Sequence, residues 1–183
     1  YTNVEDEIGR LLHEGRIIGR FNGRLEWGPR ALGNRSILIN PRDKKVNDTV
    51  NERLNRTEFM PFAPSVLDYR AKDYFIGYED TDVAADFMTI TYDVYPNVIN
   101  DIQAVVHIDN TARPQVVRSA ENGSYYKILQ AYERYSNIGC IVNTSFNLHE
   151  EPIVNDPEDA LRALEQGAVD ILAIGDYLVT YIK

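Results

Sequence analysis

The chain is predicted to be an α/β (α+β) protein built on a mixed sheet, and three observations carry that prediction. Helix-like and strand-like segments interleave from end to end, with no repeat, low-complexity tract or linker. Of the 183 residues, 44% are hydrophobic and 26% charged, the balance of a globular chain with enough length for a core. Capping chemistry also punctuates the sequence, with Asp156 and Pro157 placed as N-cap and first helical residue of "NDPEDALRALEQG" and Gly167 after its end.

In order, "NVEDEIGRLLHEGR" reads as an opening helix with Ile8, Leu11 and Leu12 on one face and acids in its first turn. "RIIGRF" reads as a short buried strand, "SILIN" as a second, and "KKVNDTVNERLN" as a helix. The two prolines of "MPFAPSVL" require an extended or turning backbone. "RAKDYFIG" fits a short helix, and the β-branched and aromatic content of "ADFMTITYDVY" predicts a strand. "QAVVHID" and "PQVVR" are expected as strands around a turn or bulge at "NTA". "SYYKILQAYERYSN" is amphipathic, with Ile128, Leu129 and Tyr132 facing the core. "GCIVNTSFN" is a strand with a polar end, and "DILAIGDYLVTYI" supplies the last one or two strands. One domain over 1–183 is expected. Because the chain opens on Tyr1 without Met, it is read as a piece of a longer protein.

Its apolar runs are broken by Asp or Gly every few residues, so no membrane span is expected. A single Cys140 excludes an internal disulfide framework and fits a reducing cytoplasm. Net charge is −9, but Arg20 to Arg56 holds nine Lys and Arg against four Asp and Glu, +5, leaving −14 elsewhere. A basic segment in an acidic chain matches a small anion and argues against a nucleic-acid backbone.

Three constellations could carry chemistry. "GRFNGRLEWGPRALGNRSIL", Gly19 to Leu38, combines four arginines with four glycines, so backbone N–H groups and guanidinium forks can converge on phosphate or carboxylate oxygens. The competing reading is that Arg24, Arg30 and Arg35 pair with the chain's own acids. In "VHIDNTARPQ", an extended backbone would put His107, Asp109, Thr111 and Arg113 on one face, as site or as solvated surface. "CIVNTSFN" carries Asn143, Thr144, Ser145 and Asn147 at a strand's end, where open sheets bind ligands and where caps also occur. Ser145 has no local base and reads as a binding hydroxyl; Cys140 reads as a small buried hydrophobe. His13 and His149 read as surface residues, and no metal-ligand pair is visible.

In this order, "GRLEWGPRALGNRSIL", "NPRD", "PFAPSVL", "VVHIDNTARPQ", "NTSFN", "EPIVNDPEDAL" and "DILAIGDYLV" resemble the C-terminal region of the O-carbamoyltransferases of the NodU/CmcH type, nodulation and antibiotic biosynthesis enzymes. The resemblance runs from about Gly19 to Val179. It implies a twisted mixed sheet flanked by helices, like that of YrdC/Sua5 proteins. It also implies a longer enzyme whose YrdC-like half combines carbamoyl phosphate with ATP and Mg2+ into carbamoyl adenylate. An N-terminal Kae1-like half, the only part expected to hold iron, would pass the carbamoyl group to a small-molecule hydroxyl acceptor. By the same resemblance Arg30, Arg35 and His107 are the catalytic set, and Arg24, Asn34, Ser36, Arg113, Ser145 and Asn147 bind substrate or nucleotide. Two positions depart from the family pattern: Glu150 stands where glycine is usual, and Met60 where arginine is expected. Other functions with the same fold are a tRNA-modification or RNA-binding module and a non-catalytic nucleotide-binding docking domain.

Overall fold

The computed structural model describes residues 3–54 and 62–181. Helix α1 (Val4–His13) leads to β1 (Ile18–Phe21), β2 (Arg35–Ile39), α2 (Val46–Arg53), β3 (Ala63–Leu67), a one-turn α3 (Ala71–Tyr74), β4 (Tyr92–Asp93), β5 (Thr111–Ala112), β6 (Gln115–Val117), α4 (Gly123–Ser136), β7 (Cys140–Ser145), α5 (Pro157–Glu165), β8 (Ile171–Ile174) and β9 (Tyr177–Val179). The main sheet has seven strands in the order β6-β3-β7-β2-β1-β8-β9, and β4 pairs with β5 apart from it. Within it β1 runs parallel to β8 and β3 parallel to β6, while the other pairs are antiparallel, so the expected mixed sheet is present.

Each long helix has a local cause. Asn3, Asn122 and Asp156 accept from backbone amides at the N-termini of α1, α4 and α5, and Pro157 occupies the first turn of α5. Ile8, Leu11 and Leu12 of α1, and Ile128, Leu129 and Tyr132 of α4, are buried in one apolar core as the periodicity predicts. Helix α1 packs on α4 so closely that a Cβ on Gly9 would lie 2.5 Å from Ala131 Cβ, which reserves that position for glycine. Pro64 fits inside β3 because β6 begins its pairing only at Ser65.

Two expected strands are not formed. In 85–95 the chain makes a 3₁₀ turn at Val83–Phe87, reverses at Met88 in the left-handed region, and is strand only at Tyr92–Asp93. Ala85, Met88, Tyr92 and Val94 are buried, Ala85 from the 3₁₀ turn and Tyr92 from the two-residue strand, whereas Phe87, Ile90 and Tyr95 stay exposed. In 103–109 a 3₁₀ turn at Gln103–Val105 is followed by a reversal in which Asn110 N donates to His107 O and His107 N to Thr111 O. Asn110 takes φ 64, a conformation that asparagine tolerates. The strict alternation of His107, Asp109, Thr111 and Arg113 along one strand face is therefore corrected to a tight turn that folds the first three onto one another.

Glu150 adopts φ 60, so the left-handed backbone that glycine would favour is kept with a side chain in place. Met60 lies outside the described residues. Cys140 is fully buried in β7, and burial pushes its thiol well above the usual range. Among the described residues no helix is long and apolar enough to cross a membrane.

Candidate functional site

The arginine-rich loop joins the end of β1 to the start of β2, and Asn22 N donating to Asn34 O (3.0 Å) closes its base. Three of its backbone amides, expected from the sequence to meet an anion, are engaged from within. Glu26 Oε1 accepts from Leu32 N (2.8 Å), Asn34 N (2.6 Å) and Arg35 N (3.3 Å), while Oε2 is buried without a partner. Gly33 has φ +116 with its α-carbon against the Tyr125 ring, where a Cβ would lie 2.4 Å from a ring carbon; only glycine fits.

Two arginines of the stretch hold this loop from inside. Arg20 is buried, donates to Gly33 O, Asn34 Oδ1 (3.3 Å) and Ser124 Oγ (2.9 Å), and burial lowers its pKa to about 10. Arg35 donates to Asn22 O (3.0 Å), Asn34 O (3.0 Å) and Gly23 O (3.1 Å), with its guanidinium 3.5 Å from the centre of the Phe21 ring. Burial depresses its pKa as well, against the opposing pull of Glu26. Asn34 is tied to the Arg24 carbonyl (2.9 Å) and to Asn122 (3.0 Å), and Ser36 Oγ accepts from Gly33 N (2.9 Å). Arg24 is exposed at the loop surface.

Arg30 faces a different environment. The C-terminal ends of β1 and β7 meet the N-terminal ends of β2, β3 and β6 at one end of the sheet. There a cavity of about 90 Å³ is lined by Pro29, Arg30, Ala31, Phe62, Ala63, Met88, Arg113, Asn143, Thr144 and Ser145. Arg113 comes from just before β6, its Nε is buried without a partner, and its pKa is lowered by burial and by the charge of Arg30. No carboxylate lines this cleft among the described residues. The contrast with Arg10, Arg53, Arg70, Arg118, Arg134 and Arg162, each paired with an acid, is plain. Asn143 forms the floor: its Nδ2 donates to Ala31 O, Ser65 Oγ and Gln115 Oε1 at 3.0 to 3.1 Å, and its Oδ1 has no partner. Ser145 Oγ donates to Asn147 Oδ1 (2.6 Å), whose amide in turn holds Leu148 O and Glu151 O.

The nine residues singled out in the sequence thus divide. Arg30, Arg113 and Ser145 share the cleft, with Asn147 directly behind Ser145; Asn34, Ser36 and Arg35 shape the loop; Arg24 lies outside. His107 lines a second, larger cavity of about 380 Å³, which also touches Phe62. Sequence reasoning passed over Glu26, although it is the sole acid of Gly19–Leu38, and Arg20, whose burial in a strand the charge pattern hides. Phe62 and Gln115 stand inside the quoted "PFAPSVL" and "VVHIDNTARPQ" blocks, but nothing in either residue type singled it out as lining a site.

The carbamoyltransferase C-terminus family profile matches residues 9–181. Nodulation protein NolO of Bradyrhizobium diazoefficiens is 37% identical over 178 residues, covering 97% of this chain and 32% of that protein. The 3'-hydroxymethylcephem-O-carbamoyltransferase of Amycolatopsis lactamdurans is 30% identical over 175 residues, covering 93% of this chain and 32% of that protein. The solved structure of full-length HypF in a phosphate- and nucleotide-bound form superposes with a TM-score of 0.63 at 20% identity, over 98% of this chain and 22% of that one. The chain spans about a third of the length of these curated relatives. With nearly every described element inside the matched span, the chain belongs to the carbamoyltransferase C-terminus family.

Proposed function

We propose that the chain is the carbamoyl-adenylating part of an ATP-dependent O-carbamoyltransferase that works in the cytoplasm, its product being passed to an acceptor hydroxyl by a Kae1-like half. One observation carries the reading. Arg30 and Arg113, distant in sequence, converge on one cleft that no carboxylate lines among the described residues, and Arg113 keeps a buried, unpartnered Nε. Two like charges held together without compensation are stable in the company of an anion.

Carbamoyl phosphate, ATP and water would give carbamoyl adenylate, phosphate and pyrophosphate, the carbamate oxygen bonding the α-phosphorus as pyrophosphate leaves. All the reacting groups are anionic, so the barrier is largely repulsion, and fixed guanidinium groups in a partly dehydrated cleft lower it without a protein nucleophile. Ser145 donates to an amide oxygen and has no base beside it, which suits a binding role. Arg35, Asn34 and Ser36 act through the loop that presents Arg30. Among the described residues the cleft has no lining carboxylate and there is no cluster of metal ligands, so those residues do not fit Mg2+ and no step is assigned to it. Iron and the acceptor belong to the Kae1-like half in this reading.

The test is release of pyrophosphate from Mg-ATP that depends on carbamoyl phosphate, with a Kae1-like half present and absent. Release is expected from the wild-type chain, reduced about a hundredfold by Arg30→Ala. Absence of release under both conditions overturns the reading, as does an Arg30→Ala variant of wild-type rate.

A further inference from the structure

Beneath the arginine cleft, three strands contribute one polar side chain each to a buried cluster. Ser65 of β3 is the ladder partner of Gln115 on β6, and Asn143 of β7 stands two residues along from Ile141, the other partner of Ser65, so all three project from one face of the sheet. Their amide orientations follow from what they touch. Leu32 O can only accept, so Gln115 turns Nε2 to it (2.9 Å) and leaves Oε1 to accept from Ser65 Oγ (2.7 Å) and Asn143 Nδ2 (3.0 Å). Ala31 O can likewise only accept, so Asn143 turns Nδ2 to it (3.1 Å), and the same nitrogen donates to Ser65 Oγ (3.1 Å).

Ala31 and Leu32 are the two residues after Arg30, and Arg113 stands two residues before Gln115. The cluster therefore ties the arginine-rich loop to the strand that follows Arg113. This tie acts against a force. Burial and then the charge of Arg30 lower the pKa of Arg113, so the two guanidinium groups repel across a cleft that no carboxylate lines among the described residues. Buried amide hydrogen bonds are directional, and they fix the two loop carbonyls more narrowly than apolar contact would.

We infer that Ser65, Gln115 and Asn143 are positioning residues: by gripping the carbonyls of Ala31 and Leu32 they keep Arg30 opposite Arg113 against charge repulsion, so that an anionic substrate meets a preformed pair of cations. The inference rests on the reading that this cleft takes the anion, and adds how the pair is assembled. Without the grip, the loop would carry Arg30 away from Arg113, and each binding event would have to bring the two charges back together.

Amide hydrogen exchange on the chain alone reads the grip, because Leu32 N, Gly33 N and Asn34 N each donate within the loop and exchange when it lifts. Gln115→Met keeps the length of the side chain and removes both its donor and its acceptor. It is expected to speed exchange at these amides about tenfold, with those of α1 and α4 unchanged, and to weaken carbamoyl phosphate binding about tenfold by calorimetry. Adding Arg113→Met, which removes one of the repelling charges, is expected to slow the loop's exchange again by about threefold or more. A merely structural role for Gln115 would leave it fast. Ser65→Ala, a smaller change, is expected to speed the same amides about threefold and carries the test if Gln115→Met does not fold. Wild-type exchange in the folded variants, or fast exchange that Arg113→Met does not slow, overturns the inference. Failure of the wild-type chain to bind carbamoyl phosphate, with exchange responding as expected, overturns the arginine-cleft reading and leaves the positioning cluster standing.

Discussion

Glu26 does inside the loop what an external phosphate was expected to do, accepting from the amides of Leu32, Asn34 and Arg35. Its removal leaves three partly buried donors without an acceptor. Glu26→Ala is expected to lower stability by about 1–3 kcal/mol, and Glu26→Gln, which keeps an oxygen, by less. Urea unfolding measures this, and an alanine variant as stable as wild type would contradict the loop's internal anchoring. The same residue scale shows why charge counting misplaces some arginines: sequence reports that Arg20, Arg30 and Arg35 are cationic, but whether a guanidinium meets backbone carbonyls or an open cleft depends on where the chain turns. Arg30 follows Pro29 out of the loop into the cleft, whereas Arg20 and Arg35 lie in strands β1 and β2 and turn onto the loop's carbonyls.

At the scale of elements, the helices were legible because their signals are local. The cap of α5, the apolar faces of α1 and α4, and Pro157 all act within a few residues of where they stand. The segments 85–95 and 103–109 were not legible, since composition does not separate a ladder from turns that bury some apolar residues, such as Ala85, Ala104 and Val105, and expose others, such as Phe87, Ile90 and Ile108. The approach of α1 to α4 is equally invisible in sequence and rests on Gly9, where a Cβ would meet Ala131 Cβ at 2.5 Å and Tyr132 N at 2.6 Å. Alanine is the better helix former by about 1 kcal/mol in an open helix. Here Gly9→Ala is expected to cost about 1–3 kcal/mol through overpacking, and a gain in thermal stability would show that the helices can part without penalty.

For the whole molecule, the strand order decides what the site is. Residues 29–31, 62–63, 88, 113 and 143–145 reach one cleft because β7 lies between β2 and β3, and β6 lies beyond β3, an order that local patterns do not encode. The family motifs made Arg30, Arg113 and Ser145 readable one by one; their meeting point, and the separate pocket that takes His107, needed the fold. In an acidic chain of net charge −9, Arg30 and Arg113 meet in a cleft that no carboxylate lines among the described residues, consistent with a small anionic substrate. The most direct test is calorimetric titration of carbamoyl phosphate into the wild-type chain beside Arg30→Ala and Arg113→Ala. Saturable binding by the wild-type chain, weakened about tenfold or more in each variant with little change in unfolding midpoint, is the predicted result. Equal affinity in all three chains, or no binding by the wild type, would contradict it.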